Sequence, residues 1–421
     1  MNPDLLRSFP AEFVAFMGID WADAEHVYCL VDRRTGQSRT GRVKSCPDAM
    51  AAWMAELKEA FPEGQIGICV EGHRGPLITF LLGYDFVALF LVNPHASADY
   101  RDSFRPSGAK DDYADAIMLV DYLIHHPEHL RPLIPDCEAV RMLASLCEDR
   151  RRTVEQRKEV TNRLLACLKS YYPQAVKLFD DCRSELACAF LGKWPELEAL
   201  RKTTDKQLRE FFYSHQVRRE ELIQERLGII RSAVPLTRDR AVIVPGRMKM
   251  LGLIRMIRDL NRIVEEYDQE IARLYQELPD AQIFGSFPGA GAALGPRLLT
   301  AFGSNRGRFA SPEDIQCLSA TAPVTEQSGR SMWVHRRWQC NTFLHQTFHE
   351  FAAKSVQHSV WAAAFVKQQM ARGKSFPTAV RALAFKWQRI MFACWQNHTP
   401  YDEARYLEAL RRSGSPLVAE A

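Results

Sequence analysis

Apolar positions in the first third of the chain come in short runs with turn-forming residues between them. Residues 13–33 hold two runs, Phe13–Ile19 and Val27–Val31, around a polar stretch, which predicts a strand, a short turn and a second strand. "QIGICVEG" (65–72) and "FVALFLVNP" (86–94) predict two further buried strands. Between them, "CPDAMAAWMAELKEAF" (46–61) has helical spacing behind a Pro-Asp start. Strands interleaved with helix predict an α/β unit. "DDYADAIMLVDYLIHH" (111–126) reads as a helix opening with acids, which suits the positive end of its dipole. The preceding "RDSFRPSG" (101–108) is expected to be flexible.

From about residue 137 the pattern changes to a long, charged, amphipathic helix. A second one follows much later. Leu253, Ile257, Leu260, Val264, Tyr267, Ile271, Leu274 and Leu278 step by alternating fours and threes, the seam of a coiled coil. An intramolecular hairpin and a dimer both fit that seam. Residues 173–246 read as shorter helices broken at Pro173, Pro195, Pro235 and Pro245, an insertion between the two long helices. The last segment opens at "FGSFPGAGAALGPRLLTAFG" (284–303) and is expected to run as helices to about 411. The predicted domains are 1–130 (α/β), 131–280 (coiled coil with insertion) and 281–421 (mostly helical).

Composition changes this picture little. A chain of 421 residues with 47% hydrophobic and 25% charged residues has room for two or three ordinary domains. The 11 cysteines include no CxxC pair and no zinc spacing, and no signal peptide is evident. A cytoplasmic protein with reduced thiols is expected. No apolar run reaches the length of a membrane span.

Charge changes it more. The net +4 is small, but its distribution is uneven. Residues 327–401 hold ten bases and one acid, Glu350, a net +9 over 75 residues. Trp333, Trp338, Trp361, Trp387 and Trp395 are interleaved with the bases. A basic surface carrying aromatics is the footprint expected for nucleic acid.

The candidate chemistry lies in the first domain. Asp20 ends the first strand and Glu71 ends the third. Two acids at the C-terminal ends of neighbouring strands are costly together unless a divalent cation neutralises them. Asp112 and Asp115 are spaced i, i+3 and share one face of their helix. The four carboxylates offer oxygen-only ligands for Mg²⁺ or Mn²⁺, suited to phosphoryl transfer. Asp111 competes with Asp112, since it too has Asp115 as an i+4 neighbour.

These residues carry a resemblance. "GIDWA", "VEGHRG" and "VNPHASADYRDSFRPSGAKDDYADA" resemble the N-terminal domain of the insertion-sequence-110 family of transposases. The resemblance implies a RuvC-like, RNase-H-type fold with an Asp-Glu-Asp-Asp tetrad. The family's third motif, Lys, small polar, Asp, two residues, Asp, Ala, matches Lys110 to Ala116, with Asp111 in the small polar slot. "FPGAGAALGPRLLTAFG" looks like the family's PGIG opening. "FASPEDIQCLSATAPVTEQSGRS" is similar to its stretch with AGLTP and a following Ser-Gly, although Ala320-Thr321-Ala322-Pro323 lacks the usual glycine. The resemblance covers 14–125 and about 280–405.

The family's proposed nucleophile maps onto Ser328, in "QSG", with Ser331 a nearby rival. The resemblance implies an RNA-guided DNA recombinase. A structured bridge RNA pairs with target and donor DNA, and Ser328 attacks a phosphodiester to form a phosphoserine link. Tetramers built from two dimers and association with the bacterial nucleoid are implied too. Arg330, Arg336 and Arg337 follow the serine and are expected to hold phosphates. Arg101, Arg105 and Lys110 flank the third motif and are taken as DNA or RNA phosphate contacts. His73 lies two residues from Glu71 and reads as an ordinary loop histidine or a site-lining one.

Three other readings compete. A RuvC-like junction resolvase would use the tetrad without Ser328. A non-catalytic nucleic-acid organiser would need neither. "GIDWADAEHVYCLVD" also resembles the phosphate hairpin of actin-like sugar kinases, but no second such hairpin or adenosine loop follows. "PGAGAALG" lacks the lysine of a phosphate loop.

Overall fold

The structure, a computed structural model, describes residues 10–72, 75–104, 111–338, 340–415 and 417. Arg105, Lys110 and His73 lie outside them. The chain divides into two compact units between Pro135 and Asp136.

The first unit is built on a five-stranded sheet, β1 (Phe13–Asp20), β2 (Glu25–Asp32), β3 (Ser38–Lys44), β4 (Gln65–Glu71) and β5 (Val87–Val92), in the order β3-β2-β1-β4-β5. β1, β2 and β3 form an antiparallel meander, while β1, β4 and β5 run parallel. The parallel strands are covered on both faces, which is why their sequences are nearly all apolar. Ala15, Met17, Ile19, Ile66, Ile68 and Val70 point to one core with helices α1 (Pro47–Ala60) and α2 (Pro76–Leu81). Phe16, Cys69 and Phe90 point to the other. There α3 (Pro94–Phe104) leads to α4 (Asp112–His125). α3 corrects the expectation of flexibility for residues 101–104, which close a helix, while 105–108 lie outside the described residues.

β3 was not expected. Its sequence, SRTGRVK, buries only Val43, so no alternation marks it. It is an edge strand, where charged residues guard against further pairing.

The second unit begins with α5 (Glu138–Tyr171). Five short helices follow, α6 to α10 (Gln174–Lys177, Glu185–Lys193, Leu197–Arg201, Asp205–Ser214 and Glu220–Arg231). α11 (Arg240–Glu277) then returns antiparallel along α5. Arg157 Nη1 donates to Asn261 Oδ1 at 3.0 Å and Cys167 Sγ to the Gly246 carbonyl at 3.3 Å. The pair carries a core at each end. Val160, Leu164 and Leu168 meet Leu253 and Ile257 among the short helices. Val140, Leu143 and Cys147 meet Ile271, Leu274 and Leu278 among the C-terminal helices. Between the cores Arg150 Nη2 bonds Asp268 Oδ2 at 3.0 Å. Pro245 does not break α11, contrary to expectation. It falls in the second turn, where the cost is one lost bond to Ala241 close to the helix start.

The C-terminal helices are α12 (Ala281–Gly285), α13 (Gly291–Phe302), α14 (Pro312–Leu318), α15 (Thr342–Ser355), α16 (Val360–Ala371), α17 (Phe376–Gln396) and α18 (Glu403–Arg412). The expected all-helical run is interrupted by a hairpin, β6 (Val324–Ser328) and β7 (Ser331–His335). The tryptophans also need correction. Trp361, Trp387 and Trp395 are fully buried, and their indole N–H groups donate to Tyr401 Oη, Ser355 Oγ and the Gly303 carbonyl. Only Trp333 and Trp338 of the five are exposed.

Candidate active site

In β1 and β4 the parallel register pairs Ile19 with Val70, so Asp20 and Glu71 stand side by side at the strand ends. Both continue the row that includes Gly18 on β1 and Cys69 on β4, the face covered by α4. Gly18 sets how closely that helix approaches. A Cβ there would collide with the Ala116 carbonyl oxygen and lie 2.5 Å from the Val120 nitrogen. The absence of that one carbon lets the first turns of α4 lie against β1.

The start of α4 is fixed twice. Asp111 is its N-cap, with extended backbone, and its carboxylate accepts the Tyr113 N–H at 3.2 Å. Arg42 on β3 donates to Tyr113 Oη at 3.0 Å and lies over the same ring. Asp112 is then the first helical residue and exposed, while Asp115 is buried at 6%. The side chain of Asp111 is thus engaged in starting the helix.

The buried Asp115 carboxylate needs a cation. Arg101 on α3 supplies one, with Nε 2.9 Å from Asp115 Oδ1 and Nη2 3.6 Å from Glu71 Oε2. Its neighbour Tyr100 ties α3 to α4 through Asp121 Oδ2 at 2.6 Å. Trp21 flanks the cluster and donates to the Glu71 carbonyl at 3.2 Å. Sequence reasoning missed Trp21 as a neighbour and Arg101 as the bridge between two acids. Nothing in their spacing marks either role.

Among the described residues, no three of the four acids bring their oxygens within 4.8 Å of one another. His126, Glu128 and His129, at the other end of α4, do form such a group, and they were not anticipated. The four acids nonetheless fit a hard divalent cation. All their donors are oxygens, Asp20 and Glu71 end neighbouring strands, Asp115 lies in the helix over that sheet face, and the cation now between Glu71 and Asp115 is a part-exposed arginine.

The second unit holds the serine. Ser328 ends β6 and pairs with Ser331 across the two-residue turn Gly329-Arg330. Gly329 has φ +57°, as the first turn position requires for strands that must twist together. Both serines and Arg330 are exposed. The hairpin has little packing of its own: Met332 and Val334 are exposed like Trp333. Its cross-strand tie is His335 Nε2 to Glu326 Oε1 at 2.7 Å.

The hairpin's base borders a cleft of about 790 Å³. Arg336, Arg337, Lys374, Arg381, Lys386 and Arg389 line it, with no carboxylate among the described residues. Buried hydrogen bonds tie the residues behind its wall: Gln388 Nε2 donates to Ser319 Oγ at 2.7 Å and Gln316 Nε2 to the Phe385 carbonyl at 2.8 Å. His345 Nδ1 lies 3.0 Å from the Ser319 carbonyl oxygen. Burial lowers the pKa of His345 and of His349, with nearby Arg336 and Arg381 adding to the effect. Ala320 in the same wall has φ +53°, the left-handed conformation a glycine adopts freely. The missing glycine of the sequence therefore leaves a local strain.

Comparison with known proteins bears on both units. A family profile described as a transposase (DEDD transposase, IS110) matches residues 17–173. Another, described as "Transposase IS116/IS110/IS902 family", matches residues 281–367. This chain belongs to the IS110 family of transposases. The mini-circle putative transposase for IS117 of Streptomyces coelicolor is 28% identical over 411 residues, 95% of this chain and 98% of that protein. The insertion element IS900 uncharacterized 42 kDa protein of Mycobacterium paratuberculosis is 24% identical over 405 residues, 92% of this chain and 97% of its own. A putative transposase, y4uE, of Sinorhizobium fredii is 26% identical over 210 residues, 48% of this chain. Membership in the IS110 family implies DNA recombination and a DNA partner. Among the described residues, no helix is long and apolar enough to cross a membrane.

Proposed function

We propose that this IS110 transposase cuts and rejoins donor and target DNA through a covalent link to Ser328, assisted by a divalent cation held by Asp20, Glu71, Asp112 and Asp115. The observation that carries the covalent step is the setting of Ser328. It stands solvent-exposed at the turn of a hairpin whose base borders a cleft lined, among the described residues, by six cations and no acid. A nucleophile for a phosphodiester must reach its phosphorus unobstructed, in a field that tolerates phosphate charge.

In this mechanism the Ser328 Oγ–P bond forms as the bond from phosphorus to one sugar oxygen breaks. The serine loses its proton, and the departing sugar oxygen takes one up. One phosphodiester replaces another, so a sugar hydroxyl of a different strand can reverse the step without an energy source. Arg330, Arg336 and Arg337 hold the phosphates on either side. A bound Mg²⁺ or Mn²⁺ would supply charge stabilisation at the reacting phosphate. The strand order β3-β2-β1-β4-β5, with acids at the ends of β1 and β4, supports a RuvC-like domain for that role. Asp111, as the N-cap, is the less suited rival to Asp112.

Guidance by a bridge RNA and a tetramer of two dimers rest on the family resemblance, and a dimer through the coiled coil rests on the heptad seam of α11. A metal-dependent nuclease acting through the acids alone is the second reading, favoured by the complete set of carboxylates in the first unit. Ser328→Ala separates the two. With supercoiled DNA and the RNA flanking the gene, the proposal predicts loss of protein–DNA adducts with binding intact. Strand cutting at the wild-type rate by the variant would favour the nuclease.

A further inference from the structure

The cleft at the root of the hairpin has a property that phosphate holding alone does not explain. Its rim is cationic, but its walls include Ala320, Ala322, Val334, Phe365, Ala382 and Phe385. A surface that only gripped a duplex backbone would need charge and no apolar recess. Size decides further. At about 790 Å³ the cleft lies in the range of small-ligand sites and admits one nucleotide with some water. A duplex roughly 20 Å across, set by its groove dimensions, cannot enter.

The polar groups point the same way. The Arg337 Nε is buried with no hydrogen-bond partner among the described residues, while its Nη2 lies 3.8 Å from Cys317 Sγ. Such a group is costly to bury and calls for an acceptor. Lys386 lies over the Phe365 ring at 5.5 Å, and burial lowers its pKa. An aromatic edge beside a partly desolvated cation suits a base stacked next to its own phosphate. Among the described residues, nothing on the lining carries negative charge to compete.

We propose that this cleft is a subsite for a single unpaired nucleotide, its base against the Phe365–Phe385–Ala382 wall and its phosphate on Arg337, Arg381 and Lys374. The inference rests on the reading that this unit handles the reacting DNA strand. Unpaired nucleotides arise wherever strands separate, in the DNA being exchanged or in a guide RNA. The subsite recognises the chemistry common to both, an unstacked base with a phosphate. It would hold a separated strand rather than leave it to re-anneal.

The test uses the full chain carrying Ser328→Ala, so that binding is read without adduct formation. The probes are a DNA duplex with one bulged nucleotide, the same duplex fully paired, and the corresponding RNA duplexes. Fluorescence anisotropy gives the affinities. The bulged probe is expected to bind about tenfold tighter than the paired one, the value of one stacked base. Ala382→Trp, which fills the recess without changing charge, should reduce that preference to about onefold while leaving paired-duplex affinity in place. Arg381→Ala should weaken the bulged probe most. A preference in the DNA pair alone assigns the site to the exchanged strand, and in the RNA pair alone to the guide. Equal affinity for bulged and paired probes, or a preference that Ala382→Trp leaves unchanged, overturns the proposal. Failure of the Ser328 reading would appear separately, as adducts formed by the Ser328→Ala chain.

Discussion

The two candidate reaction centres are built in opposite ways. Asp20, Glu71 and Asp115 sit on a covered sheet face, at strand ends held by register and by a helix that touches the backbone of Gly18. Ser328 sits on an isolated two-stranded hairpin whose side chains are almost all in solvent. Such a hairpin is marginal alone in water. Asp20, Glu71 and Asp115 are fixed by packed elements, whereas Ser328 has little packing to fix it. The division is sensible for strand exchange. A metal site needs fixed ligands, and a nucleophile that must reach first one strand and then another benefits from freedom.

Substitutions can break this contrast or sharpen it. The largest effect is expected at Gly18. Gly18→Val puts carbon into the backbone of α4 and should cost about 3 kcal/mol or more, read as a shifted urea midpoint of the first unit. A cost below about 0.5 kcal/mol would mean that the helix is free to move and the acid site is not preformed. Arg101→Ala comes next. It strands a buried Asp115, worth about 2 kcal/mol after allowing for the exposure of Arg101. Added Mg²⁺ should restore most of that loss, and raise the thermal midpoint more in the variant than in the wild type.

Acid pH should act on the second unit through His345 and His349. Their pKa values lie below the usual 6.5, so near pH 6 the unfolded chain binds protons that the folded one does not. Stability is therefore held above about pH 6.5 and falls as pH drops toward the folded-state values. His349→Gln should flatten that slope in a series of unfolding curves. His26 in the first unit adds a contribution of the same sign, from burial.

The contrast was only partly legible in the sequence. β1, β4 and β5 declare themselves because both faces are buried, so nearly every residue is apolar. The strand-end acids stand out against such runs. The hairpin at 324–335 does not, because neither of its faces is buried and no period is imposed on it. The tryptophans mislead for a related reason. Composition cannot tell a stacking platform from a core, and only the indole partners of Trp361, Trp387 and Trp395 reveal the latter. The bridge from Glu71 through Arg101 to Asp115 joins three separate elements, and no local spacing encodes it.

Smaller effects refine the serine side. Ala320→Gly relieves a left-handed backbone and should raise stability by about 0.7 kcal/mol, detectable in the urea midpoint of the second unit. Gly329→Ala strains the turn at φ +57° but meets nothing within 4 Å. Global stability should change by less than about 0.5 kcal/mol, while adduct yield falls. Equal losses of stability and yield would mean that the hairpin is part of the folded core after all.

The most direct test is to map the covalent bond. The full chain is incubated with supercoiled DNA, the RNA from beside its gene and Mg²⁺, then denatured, digested with nuclease and protease, and read by mass spectrometry. The account predicts a nucleotide phosphate on the peptide containing Ser328, present in the wild type and missing after Asp20→Asn. A phosphate on Ser331, or strand exchange that proceeds with no modified serine, would contradict it.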